Sequence, residues 1–254
     1  MATIAVFNQR AGVGKTTTAL NLLAAIGQRG QRPWGIDLDP QAHLSRTFGA
    51  YSETTDESMH AFFTGDVPLT HVAHITRSSV VVCPAHPELA DLDVRLGKGL
   101  SVVTRLRRAL RQPGTATGPV IIDCPASFGC LALNAVFAAD LVLVPVSCDP
   151  AAVAGALAID RALNALEKAV KEPLRRKYVL TRFEPTHDSS RAAEQSLAAQ
   201  VRAEDLLETC IRTSVAISES AAAGRDVFRH APESSGAQDY QDLRLELDEL
   251  GAFA

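Results

Sequence analysis

The sequence predicts an α/β fold, a doubly wound and mostly parallel sheet flanked by helices, and three observations predict it. Short β-rich runs alternate with helical patterns along the chain. The composition over 254 residues is 46% hydrophobic but only 5% aromatic, so one sizeable core has to be built from Val, Ile, Leu and Ala, the residues of strands buried on both faces. The first β-rich run leads directly into a glycine-rich turn that opens a helical pattern.

Strands are expected at 3–7, 34–38, 80–83, 120–124, 141–146, 178–181 and 207–211. Amphipathic or alanine-rich helices are expected between them at 15–29, 102–112, 151–171, 189–203 and 238–250, with a short helix at 58–63 inside the loosest stretch, 49–68. This alternation gives right-handed βαβ units, which place ligands at the carboxyl ends of the strands. With no internal repeat, low-complexity tract or long linker, a single domain over 1–254 is expected.

The N-terminus runs straight into the glycine turn, without the basic and apolar regions of a signal peptide. No apolar run approaches the roughly 20 residues of a spanning helix. A soluble, cytoplasmic protein without membrane contact is therefore expected. Cys83, Cys124, Cys130, Cys148 and Cys210 form no CxxC pair and mostly sit in apolar runs, which reads as reduced, buried thiols. The formal charge of −4 is unevenly spread: from Asp37 to Asp93 nine acids face only Arg46 and Arg77, whereas 94–115 holds Arg95, Lys98, Arg105, Arg107, Arg108 and Arg111 with no acid. Local basic surfaces are compatible with that distribution.

After the first run comes Asn8-Gln9-Arg10-Ala11-Gly12-Val13-Gly14-Lys15-Thr16-Thr17-Thr18. Strand, glycine turn and helix N-terminus together direct several backbone N–H groups and the positive helix end at an anion, the geometry of a phosphate site. Gly12 and Gly14 allow close backbone approach, Lys15 can reach the β- and γ-phosphates, and the Thr16 hydroxyl can ligate Mg²⁺. The strict GxxxxGK[ST] pattern fails because Gln9 holds its first glycine position. Two further segments support the reading. Asp37-Leu38-Asp39-Pro40-Gln41 puts two carboxylates at the end of the second strand, and Ile121-Ile122-Asp123-Cys124-Pro125 ends an apolar strand on the Asp that a Walker B role requires.

With NQRAGVGKTTT, DLDPQ, IIDCPAS, LVLVPVSCDP, ISES and GAQDYQDL in this order, the chain resembles the ParA/Soj branch of the ParA/MinD deviant Walker A P-loop ATPases from Ile4 to about Leu247. The resemblance implies a P-loop NTPase fold that binds ATP and Mg²⁺, forms an ATP-sandwich homodimer and hydrolyses ATP weakly without its partners. It implies a nucleoid-associated protein that binds DNA without sequence preference. A ParB-like or other adaptor would stimulate hydrolysis, and the cargo would be a plasmid, a chromosome or a protein compartment such as a carboxysome. Carried over by position, the nucleotide loop comprises Ala11, Gly12, Val13, Gly14, Lys15, Thr16 and Thr17. Lys15, Asp39 and Arg10 are the catalytic set: Lys15 binds phosphate, Asp39 orients the attacking water, and Arg10 stands where the family has a lysine that crosses to the partner's nucleotide. Thr16, Asp37 and Asp123 surround the metal.

Two departures from the family pattern stand out. Arg10-Ala11-Gly12 replaces Lys-Gly-Gly; arginine keeps the charge and adds a planar fork, but is bulkier, and Ala11 adds a Cβ. The arginines that precede the ISES-like motif in the family are here Thr213 and Ala216, with Arg212 remaining. Candidates for DNA contact are therefore Arg175, Arg176, Lys177, Arg202, Arg212, Arg225 and Arg229, together with Arg182, Arg191 and the basic helix at 102–111. Four alternatives stay open. A MinD-like membrane ATPase is disfavoured by the acidic Asp248 and Glu249 near the C-terminus, and a longer ParA with an N-terminal helix-turn-helix domain by a loop that starts near residue 10. An iron–sulfur protein of the nitrogenase type would use Cys130 and a second cysteine such as Cys83, and the last alternative is a biosynthetic ATPase of the same fold.

Overall fold

The computed structural model describes residues 2–65, 67–97 and 99–253, so Lys98 of the basic stretch lies outside the described residues. The strands are β1 (Thr3–Val6), β2 (Trp34–Asp37), β3 (His74–Ile75), β4 (Val81–Cys83), β5 (Val120–Asp123), β6 (Leu141–Ser147), β7 (Arg176–Phe183) and β8 (Ile211–Arg212). They form one sheet in the order β3-β4-β2-β5-β1-β6-β7-β8. β3 pairs antiparallel with β4, and the other pairings are parallel. β1 thus lies between β5 and β6, and a crevice opens at its carboxyl end.

Alternation along each strand splits the core into two layers, because successive side chains point to opposite faces. Ile4, Val6 and Ile121 join Leu22, Leu23 and Ile26 of the helix Lys15–Gly27 and Tyr240, Leu243 and Leu247 of the helix Ser235–Glu249. Ala5, Phe7, Val120 and Ile122 face the other layer, with Leu131, Ala135, Ile159 and Leu163.

The helix Pro150–Val170 begins where local chemistry dictates, with the Asp149 side chain accepting from the Ala152 amide and proline in the first turn. The basic stretch at 102–112 is two short helices, Leu100–Val103 and Arg105–Leu110, instead of one. At the break, the Thr104 hydroxyl donates back to the Leu100 carbonyl at 2.6 Å, the local competition that bends helices. The strand expected at 207–211 is only two residues, Ile211–Arg212, and shares Ile211 alone with that range. Its preceding amides, Glu208 and Thr209, donate instead to the Glu246 carboxylate at 2.8 and 2.9 Å. The helix Cys130–Ala138 was not signalled by periodicity, since eight of its nine residues are buried and no polar face exists.

Candidate phosphate-binding site

The glycine turn is held from several sides. Buried Asn8 donates to the Pro145 carbonyl at 2.7 Å and accepts from the Arg10 amide at 2.9 Å. The Thr181 hydroxyl of β7 donates to the Val13 carbonyl at 2.9 Å. Gly12 and Gly14 take φ of 77° and 91°, in the left-handed region where a side chain is strained. Ala11 is not among the positive-φ residues, so its extra Cβ carries no backbone strain. Gly14 caps the helix Lys15–Gly27, which aims the free amides of its first turn, with Thr16 and Thr17, into the crevice. The Lys15 ammonium bends back over the loop and donates to the Arg10 carbonyl at 3.1 Å.

Asp37 and Asp123 are register partners on adjacent strands and both are fully buried. Their surroundings differ. Asp37 accepts from the Asp39 amide at 3.1 Å, the Ser45 amide at 2.9 Å and the Ser45 hydroxyl at 2.6 Å. Burial pushes its carboxyl up to about 7, against the pull of the Ser45 hydrogen bonds. Neither oxygen of Asp123 accepts a hydrogen bond of good geometry, although the Thr16 hydroxyl faces it. Burial, then the charge of Asp37, raises its carboxyl well above the usual range, with Thr16 and Lys15 acting the other way. Burial likewise lowers Lys15, and Asp123 and Asp39 resist that shift. A buried carboxylate with both oxygens unpartnered, facing a threonine hydroxyl and a lysine, has the donor set for a hard cation that keeps part of its water shell. The residues present therefore fit Mg²⁺ with Thr16 and Asp123 nearest it, while Asp37 is committed to Ser45 and the Asp39 backbone. Asp39 is half-exposed at the rim, and its side chain accepts from the Gln41 amide at 3.0 Å.

Arg10 is exposed and pairs with Asp149 at 3.4 Å. Burial would raise the Asp149 carboxyl, but hydrogen bonds from Ser147 and Ala152 and the Arg10 charge leave it below its ordinary value. Asp149 is a contact of Arg10 that the sequence does not single out, because the two lie far apart along the chain. A second omission is a cleft of about 310 Å³ beside Gly14 and Thr17, walled by Thr181, Arg182, Thr213 and Ile217. No motif announces it, because the walls come from separate segments.

The arginines expected at DNA do not share one face. Arg176 is buried, with ion pairs to Asp160 at 3.1 Å and Glu167 at 2.8 Å; this corrects its assignment to a surface, and the reason is that the preceding helix supplies two acids. Arg175, Lys177 and Arg202 lie near it, around the start of β7, with Arg202 on Asp205 at 2.9 Å and Lys177 donating to the Glu204 carbonyl. Arg212 ends β8 at the opposite end of β7 and grips Asp239 through two nitrogens. Seven residue steps of strand, about 23 Å, separate the two ends of β7. Arg225 and Arg229 flank Val227, whose amide donates to Asn21 of the phosphate-loop helix at 2.9 Å. Arg229 faces Asp226 at 3.6 Å. Cys83 and Cys130 are buried in the core, the Cys83 thiol against the Leu69 carbonyl at 3.9 Å and Cys130 against Asn134 at 3.6 Å, away from any surface where a cluster could be shared.

Fold and site together define a P-loop nucleotide-binding protein of the doubly wound type. A family model described as an AAA domain matches residues 1–176. The chromosome partitioning protein ParA of Myxococcus xanthus is 30% identical over 249 residues, covering 96% of this chain and 87% of that protein. The sporulation initiation inhibitor protein Soj of Bacillus subtilis is 30% identical over 252 residues, covering 96% and 97%. Among solved structures, cobyrinic acid a,c-diamide synthase from Mycobacterium smegmatis with bound ADP and magnesium is 27% identical with a TM-score of 0.82, covering 99% of this chain and 96% of that one. The chain belongs to the ParA/MinD-like family of deviant Walker A ATPases. Among the described residues, no helix is long and apolar enough to cross a membrane.

Proposed function

We propose that this protein is a ParA-like ATPase that binds Mg-ATP in the loop 11–17, closes into a homodimer over the nucleotide, and hydrolyses it to drive positioning of a cargo. The observation that carries the reading is the buried, unpartnered Asp123 carboxylate beside Lys15 and Thr16. Mg²⁺ held near Thr16 and Asp123 would neutralise phosphate charge. Lys15 and the loop amides bind the β- and γ-phosphates, and the cleft beside Thr17 accepts the base. Asp39 at the rim holds the attacking water in line, so catalysis is positioning and electrostatics. Arg10 leaves Asp149 and reaches the second subunit's nucleotide on closure. DNA without sequence preference and an adaptor that stimulates hydrolysis complete the cycle in the nucleoid. The test is the Asp39→Ala variant, expected to bind ATP and accumulate as dimer with Mg-ATP but not with ADP. Sedimentation as a monomer at saturating Mg-ATP would sink the assignment.

The similarity to the mycobacterial synthase structure supports a second reading, a biosynthetic ATPase of the same fold. ATP turnover that depends on a small-molecule substrate, together with no DNA binding, would favour it.

A further inference from the structure

Asp93 belongs to no phosphate-binding motif, yet its carboxylate reaches into the segment that follows Asp123. It lies on the helix Leu89–Arg95. One oxygen accepts from the Ser127 hydroxyl at 2.7 Å and the other from the Leu131 amide at 2.8 Å. Leu131 is in the first turn of the helix Cys130–Ala138, whose own cap residue, Gly129, has no side chain to offer. Asp93 therefore caps that helix from a different element, placing an anion at its positive end. The fit is closed on the remaining side, because a Cβ at Gly129 would overlap the Asp93 carboxylate.

The pinned segment, 124–129, follows Asp123 and passes Phe7, whose ring lies 5.5 Å from that of Phe128. Phe7 immediately precedes the phosphate loop. Three fixtures thus hold this segment against the site: the strand end at Asp123, the Phe7–Phe128 contact, and the two hydrogen bonds to Asp93. The first is strand pairing and the second is packing within the core. The third is polar, and its helix is at the surface, with the next residue, Val94, 85% exposed.

We propose that Asp93 is a positioning residue for ATP hydrolysis, holding the 124–129 segment in register with the phosphate loop so that the site closes correctly around the terminal phosphate. The inference rests on the ATPase reading above. Binding of the nucleotide depends chiefly on the loop and Lys15, so removing Asp93 affects turnover more than affinity.

The experiment measures Mg-ATP affinity, single-turnover hydrolysis and thermal unfolding for the wild type, Asp93→Ala, Asp93→Asn, Gly129→Ala and the Asp93→Ala/Gly129→Ala double variant. Expected are affinities within about three-fold of wild type, and hydrolysis slowed roughly ten-fold or more in Asp93→Ala and Gly129→Ala. Asp93→Asn, which keeps the shape and one acceptor, should recover part of the rate, and it keeps the test decisive if Asp93→Ala does not fold. Because Asp93→Ala vacates the space that a Cβ at Gly129 needs, the double variant should be no slower than Asp93→Ala alone. Wild-type hydrolysis by Asp93→Ala would overturn the proposal, as would equal losses of affinity and rate, or additive losses in the double variant. A wild-type protein that binds no Mg-ATP would instead overturn the ATPase reading, and this inference with it.

Discussion

Arg10 pairs with Asp149, and in the proposed dimer it would have a second, competing partner in the other subunit's nucleotide. The contact to Asp149 is 3.4 Å long between side chains that are each more than 40% exposed, and such pairs contribute only about 0–1 kcal/mol. It restrains the arginine without trapping it. Arg10→Ala is therefore expected to leave ATP binding by the monomer intact while weakening dimerisation and hydrolysis, and Arg10→Lys to restore much of both. Asp149→Asn keeps a capping oxygen for the helix Pro150–Val170 but removes the competing charge, so it should strengthen Mg-ATP-dependent dimerisation by up to about five-fold. Analytical ultracentrifugation across a protein dilution series reads both effects. Weaker dimerisation by Asp149→Asn would mean that the aspartate assists closure. Lys15→Ala differs in kind: a buried triphosphate would lose its main cation, so nucleotide affinity itself should collapse.

Among the elements, the helix Ser235–Glu249 backs the phosphate-loop helix. Tyr240, Leu243 and Leu247 pack in the same layer as Leu22, Leu23 and Ile26, Asp239 holds Arg212, and Glu246 holds the amides of Glu208 and Thr209. Leu243 is fully buried, so Leu243→Ala should destabilise by roughly 2–5 kcal/mol, whereas Leu245→Ala, at a position 37% exposed, should stay within about 0.5 kcal/mol. Urea unfolding monitored by circular dichroism distinguishes them, and equal midpoints would show that this helix is not part of the cooperative core. The same helix shows what a sequence can and cannot announce. Its periodic face was legible, as were the glycine turn and the two aspartate-ended strands, because each signal is written within a few neighbouring residues. The helix Cys130–Ala138 was not, since it is apolar on all sides and its cap, Asp93, sits far upstream in the sequence. β3 is too short, at two residues, to leave a period. The burial of Arg176 depends on Asp160 and Glu167, whose facing is settled only when the Pro150–Val170 helix docks beside β7.

At the scale of the whole molecule, the candidate DNA contacts around β7 split between its two ends, and Arg176, Arg202, Arg212 and Arg229 are already matched by acids. Arg225 and Arg229 flank Val227 beside the phosphate-loop helix, which makes them the pair to test for the proposed DNA contact. An Asp39→Ala dimer loaded with ATP should bind two unrelated duplexes about equally, with affinity falling steeply as salt rises. Arg225→Glu combined with Arg229→Glu should weaken that binding and spare dimerisation. No binding to either duplex at low salt would remove the DNA-matrix role. The strand order carries one more implication, for the chain's birth. Ile4 finds its partner in Ile121, 117 residues later, so at roughly 5–20 residues per second the ribosome extends the chain for about 6–24 s before β1 can pair. The layer over Leu22 and Leu23 waits longer still, for residues 235–249. A nascent chain thus carries the whole phosphate-loop sequence well before the residues that pair with β1 and back its helix have been made.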